Sequence, residues 1–257
     1  MDLELKDKVV LVTGGSDGLG AALVRRLGAE GARVALCGRR AERVEAVAKE
    51  LAASGADVIG VAADVTRTAD LERFIGAAVE RWGRIDALVN NAGRSAAGPF
   101  EAQSDEVWEE DLQLKLHAAV RATRLVLPHL RAAGGGSVVN TLAVSAKAPS
   151  GGSTPTSVSR AAGLALTKAL SNELGPDNIR VNAVLIGLIE SGQWVRKAEQ
   201  QGIALDELYA SLSSGVPLGR VGRAEEFADL VAFLLSARGA YLTGTGINLD
   251  GGMCPVV

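Results

Sequence analysis

The chain has 257 residues, 47% of them hydrophobic and 22% charged, with a formal net charge of −3. That length and apolar content suit one α/β domain with a full core, and neither the charge nor any basic stripe points to nucleic acid. No apolar run approaches the roughly 18 residues of a membrane span. The charged start, residues 1–7, lacks a signal-peptide core, and Cys37 and Cys254 are too few for a disulfide framework. A cytoplasmic protein with reduced thiols is therefore expected.

Residues 8–12 form a short β-branched run of the kind that makes a strand buried on both faces. Thr13-Gly14-Gly15-Ser16-Asp17-Gly18-Leu19-Gly20 follows, and a helical pattern then runs through Leu19, Ala22, Leu23, Arg26 and Leu27. The spacing is T-G-x-x-x-G-x-G rather than G-x-G-x-x-G. Glycines between strand and helix allow a tight turn, and they let backbone N–H groups approach a pyrophosphate at the positive helix end. The bland alternative is a glycine-rich connection with no ligand.

A second strand, residues 33–37, ends in Gly38-Arg39-Arg40, with no carboxylate before Glu42. A carboxylate in that region bonds a ribose 2′-hydroxyl, whereas arginine suits a 2′-phosphate, so NADP(H) is expected, with NAD(H) the alternative. Arg39 is the expected phosphate contact and Arg40 a candidate for stacking on adenine. Two solvated charges opening a helix is the competing reading. Asp17 argues against an extra phosphate nearby.

The remaining chain alternates. Helices are expected over 41–54, 68–81, 104–131 (bent near Pro128), 155–174 and 224–236, with short ones within 194–212. Strands are expected over 58–62, 85–89, 137–141, 179–184 and 246–249. Such alternation predicts a Rossmann-like, doubly wound sheet of seven parallel strands in a single domain, with ligands at the carboxyl ends of the strands.

Thr13-Gly14…Gly18-Leu19-Gly20, Asp64-Val65, Asn90-Asn91-Ala92-Gly93, Ile179-Arg180-Val181-Asn182-Ala183 and Asp250-Gly251-Gly252 together resemble a short-chain dehydrogenase/reductase. Pro217-Leu218-Gly219-Arg220 and Tyr241-Leu242-Thr243-Gly244 resemble further landmarks of that family, and the resemblance spans essentially the whole chain. It implies a cofactor site built from Gly14, Ser16, Asp17, Gly18, Leu19, Gly20, Arg39, Arg40, Asp64, Val65, Asn91, Ala92, Gly93, Arg160, Gly187 and Ile189. Asp64 and Val65 would sit near adenine, and the backbone after Gly187 would hold the nicotinamide amide. It also implies a homodimer or homotetramer, packed through the helices at 104–131 and 155–174.

The resemblance further implies a catalytic tyrosine, a lysine four residues later, a serine about 13 residues earlier and an asparagine on the long helix. Thr156, Arg160, Ala143 and Lys115 stand at those positions. The only tyrosines, Tyr209 and Tyr241, lie off the 155–174 helix. A threonine hydroxyl is far too weak an acid to replace a phenol, and arginine transfers no protons at useful pH. If the fold holds, Lys115 and Arg160 meet. A guanidinium and partial burial would then lower the lysine's pKa enough for it to act as general acid. The same two cations could anchor a carboxylate or phosphate of the substrate, or Lys115 could simply pair with Asp111 one turn back.

His117 and His129 make no metal site at their spacing. Ser145, Lys147 and Ser153 are loop candidates for a substrate hydrogen bond. Residues 188–216, with Trp194, Leu205, Leu208 and Tyr209, would form a lid over a hydrophobic ligand. The leading expectation is an NADP(H)-dependent oxidoreductase acting on a small apolar carbonyl, imine or activated alkene with an atypical proton donor. A lyase or isomerase on the same scaffold, or a nucleotide-binding regulator without turnover, are the alternatives.

Overall fold

The computed structural model describes all 257 residues. Seven parallel strands, β1 (Val9–Thr13), β2 (Arg33–Gly38), β3 (Val58–Ala62), β4 (Ala87–Asn90), β5 (Gly136–Ala143), β6 (Ile179–Ile186) and β7 (Gly246–Leu249), pair in the order β3-β2-β1-β4-β5-β6-β7. The chain runs outward from β1 to β3 and then returns to place β4 on the other side of β1. The carboxyl ends of β1 and β4 therefore flank the crevice where such sheets bind ligands.

Alternation along β1 explains why the sheet is covered twice. Val10 and Val12 join Leu23, Leu27, Phe227 and Val231 on one face, while Val9 and Leu11 join Leu71, Phe74, Val126 and Leu130 on the other. All of these side chains are essentially inaccessible, each stabilising the fold by about 1.5–3 kcal/mol through burial. The helices are α1 (Gly18–Ala29), α2 (Ala41–Ala53), α3 (Thr68–Trp82), α4 (Asp105–Leu112), α5 (Ala118–Ala132), α6 (Thr156–Leu174), α7 (Gly192–Gln201), α8 (Leu205–Ser213) and α9 (Ala224–Leu235), and the named side chains that join those of β1 come from α1, α3, α5 and α9. No helix is long and apolar enough to cross a membrane.

The expected elements are all present, with ends moved by one or two residues. One expectation needs correction. The long helix over 104–131 is not one regular α-helix. Residues Gln113–His117 form a π turn between α4 and α5, and the helix then continues through Pro128 to Ala132. A π turn carries an extra residue in the ring and so redirects its side chains. Apolar periodicity does not reveal that local widening. Its central residue is Lys115.

Candidate active site

The loop between β1 and α1 is shaped for close approach. Gly14 and Gly18 have φ of +66° and +47°, which side-chain-bearing residues rarely adopt. A Cβ on Gly20 would lie 2.1 Å from the Gly14 carbonyl oxygen. The N–H groups of Ser16, Asp17, Leu19 and Gly20 make no hydrogen bond within the chain, as the opening turn of a helix leaves them. They converge at the positive end of α1, which is the arrangement that receives an anion.

Asp17 is not the obstacle its charge suggests. Its Oδ1 accepts from the Gly18 N–H at 2.9 Å, capping α1, and its Oδ2 accepts from Arg40 Nη2 and Arg43 Nη1, both at 2.9 Å. Two guanidinium groups thus offset the carboxylate. Arg40 is turned toward Asp17 rather than standing free, while Arg39 is exposed and makes no ion pair. Sequence reading overlooked Arg43, since its place one turn into α2 becomes meaningful only once α2 packs beside the loop.

The strand ends are tied together by Thr13, quoted in the motif but given no role. Its Oγ1 accepts from the N–H groups of Asn91 (3.0 Å) and Ala92 (3.1 Å). Asn91 Nδ2 donates to the carbonyls of Thr13 and Gly14, both at 3.1 Å. Asn91 therefore buttresses the glycine loop through its side chain. The Asp64 carboxylate holds Thr66 through its N–H and hydroxyl, and Val65 is buried beside the site. After β6, Gly187 donates to the Leu249 carbonyl, and Ile189 accepts from Trp194 Nε1 at 2.9 Å. The Ile189 N–H itself is uncommitted, as a backbone donor for a ligand amide must be.

The chemistry-bearing side chains meet where the π turn faces the start of α6. Lys115 and Asp111 form an ion pair with side-chain exposures of 0% and 1%. Lys115 Nζ also donates to Thr156 Oγ1 at 2.8 Å. The second oxygen of Asp111 accepts from the Ser159 hydroxyl at 2.6 Å, a contact not foreseen because one serine on a helix has no sequence signature. Arg160 is buried, donates through Nη1 to the Thr141 carbonyl at 2.7 Å, and has an Nε with no partner. Its Nη2 lies where a Cβ on Gly93 would come within 2.8 Å, so Gly93 admits the guanidinium. Lys115 and Arg160 line one small cavity of ≈ 20 Å³ together with Asn90, Asn140 and Thr141.

Burial, and then the neighbouring Arg160, pull the Lys115 ammonium down to about 8, against the opposing pull of Asp111. Burial likewise lowers the Arg160 guanidinium, to about 10. Lys115 thus pairs with Asp111 and also lines one cavity with Arg160. Ala143 ends β5 and contributes no hydroxyl. Lys147 donates to the Gly246 carbonyl and Ser153 to that of Ser150, so both are engaged locally. His117 is exposed, His129 half-buried, and no His, Cys, Asp and Glu group gathers as a metal site. Tyr241 is fully exposed. Tyr209 lies on α8, its phenol raised by burial and then by Glu190.

Comparison with known proteins agrees with this architecture. The family described as enoyl-(acyl carrier protein) reductase matches residues 14–254. The chain is 36% identical over 256 residues to human dehydrogenase/reductase SDR family member 4, covering 96% of this chain and 88% of that protein. L-sorbose reductase from Gluconobacter frateurii, solved with NADPH and L-sorbose, superposes with a TM-score of 0.96 at 31% identity over the whole of both chains. An NADPH-bound short chain oxidoreductase from Pseudomonas aeruginosa PAO1, described as containing an atypical catalytic center, superposes with a TM-score of 0.92 at 35% identity, covering 98% of this chain and 100% of that one. The chain belongs to the short-chain dehydrogenase/reductase family, whose members are NAD(P)-dependent oxidoreductases.

Proposed function

We propose that this chain is an NADP(H)-dependent oxidoreductase that reduces a small apolar carbonyl, imine or activated alkene through a Lys115–Thr156 proton relay. The positions that the family resemblance assigns to asparagine, serine, tyrosine and lysine hold Lys115, Ala143, Thr156 and Arg160, so the proton must come from another route than a phenol. The observation that carries the reading is the bonding of Thr156. Its Oγ1 accepts from Lys115 Nζ at 2.8 Å and from the Ala96 N–H at 3.0 Å. Both lone pairs are used, and the hydroxyl proton has no acceptor in the chain and is available to a substrate oxygen. Threonine alone is too weak an acid. With Lys115 behind it, the hydroxyl gives its proton to the substrate as the ammonium replaces it, and no free alkoxide forms on Thr156.

The residues present fit a dinucleotide. The uncommitted N–H groups of Ser16, Asp17, Leu19 and Gly20 would meet the pyrophosphate, and the orphaned Nε of Arg160 is a donor for ribose hydroxyls. Arg39 and Arg40, with Arg43, give the adenosine end a positive rim that favours a 2′-phosphate over a hydroxyl. Asp64, Val65, Asn91, Ala92 and Gly93 line the same crevice, and the Gly187–Ile189 backbone faces its far end. When bound, the cofactor supplies the hydride. NADPH on both structural relatives named above supports this choice.

Residues 1–257 act as one dinucleotide-binding domain. Residues 188–216 act as the lid, for Ser191 and Gly192 pack against Gly18 and Asp17. A homodimer or homotetramer formed through α4 to α6 is the proposed assembly, and free Cys37 and Cys254 fit a reducing cytoplasm. Calorimetric titration with NADPH and NADH, repeated on Arg39→Asp, tests the cofactor assignment. Tight NADPH binding that weakens in the variant is expected; absence of binding by either nucleotide overturns the redox reading.

A further inference from the structure

The relay needs a buried lysine that stays protonated beside a buried arginine. Three charged groups face Lys115 from the elements packed around it. Asp111 lies on its own helix, Arg160 on α6, and Arg94 in the loop after β4, where it pairs with Glu110 at 2.7 Å. Burial and both arginines disfavour the ammonium, and Asp111 alone favours it. Asp111 is itself held at both oxygens, by Lys115 on one and by the Ser159 hydroxyl at 2.6 Å on the other, with 3% of the residue exposed. Ser159 lies one turn beyond Thr156 on α6 and so joins the two helices that carry the relay.

From this geometry we infer that Asp111, locked by Ser159, is the positioning residue that keeps Lys115 loaded with a proton and aimed at Thr156. The inference deepens the proposed function and rests on the same site. An ammonium has three N–H donors. Asp111 takes one, Thr156 a second, and the third is left toward the cavity shared with Arg160. Without the carboxylate the amine loses its only favourable charge, and the uncharged form becomes the stable one. At pH 7.5 a group titrating at about 8 is protonated about three times as often as not, and a one-unit fall reverses that ratio.

Lysine 13Cε NMR titration of the labelled, full-length protein reads this directly and needs no substrate. Seven lysines are present, and Lys115→Met identifies the resonance. In Asp111→Asn the Lys115 midpoint should fall by at least a unit, a tenfold or greater loss of proton affinity. In Ser159→Ala it should fall in the same direction by about threefold, because the carboxylate loses its lock but remains. A midpoint that is unchanged or rises in either variant overturns the inference. Where Asp111→Asn does not fold, Ser159→Ala decides alone. Failure of the relay is read separately: full turnover by Lys115→Met refutes the donor while leaving the titration result standing.

Discussion

Replacing Lys115 with Met is the perturbation in which stability and chemistry separate most cleanly. Met matches the length and flexibility of the lysine stem, so little volume is lost. The charge is another matter. The Lys115 and Asp111 side chains are 0% and 1% exposed, and removing one partner of a buried pair leaves an uncompensated charge costing about 3–5 kcal/mol. For a chain of this size each kcal/mol lowers Tm by about 2–4 °C, so Lys115→Met should melt roughly 6–20 °C below the parent. Lys115→Met/Asp111→Asn removes both charges and should recover most of that loss, since neutral replacement of a buried pair is often close to neutral in stability. Reduction should behave differently, falling about 10²–10⁴-fold in both the single and the double variant as the general acid is lost. Calorimetric melting of the four proteins of the cycle, with NADPH-dependent reduction of a ketone panel, provides both readouts. A double variant no more stable than Lys115→Met would refute the buried pair. Restored reduction in the double variant would refute the donor.

Two further expectations concern pH and the cofactor loop. Because the Lys115 ammonium titrates at about 8, below its ordinary value, the donor is loaded under mildly acid and neutral conditions and empties above. The reductive rate should therefore hold level and then fall through pH 8, and the oxidative rate should rise over the same interval; a reductive profile flat to pH 10 would contradict this. Gly20→Ala places a methyl where a Cβ meets the Gly14 carbonyl oxygen at 2.1 Å. The loop must open, and NADPH affinity by calorimetry should drop at least about tenfold, whereas unchanged affinity would mean that the loop does not cradle the pyrophosphate.

The sheet was legible because parallel strands buried on both faces read as short β-branched runs, and because glycine and arginine fall where a loop and a strand end must put them. Lys115, Thr156 and Arg160 were legible as unusual residues at positions marked by the family resemblance. The π turn was not, since the pattern on either side of residues 113–117 remains helical. Nor were Ser159, Thr13 and Arg43. Each acts through a partner 26 to 78 positions away, namely Asp111, Asn91 and Asp17: Ser159 is 48 positions from Asp111, and nothing local to a serine announces a carboxylate across a helix interface. Asp17 was misjudged for the same reason. Its charge is visible in the sequence, whereas the two guanidinium groups that offset it arrive with α2.

The most direct measurement is deuterium transfer from stereospecifically labelled NADPH into the product of a carbonyl panel under single turnover, with the intact protein. One deuterium at the carbinol carbon, matched by one oxidised cofactor, is the expected result. A product formed without cofactor oxidation, or NADPH bound tightly with no transfer to any carbonyl, imine or activated alkene, would contradict it.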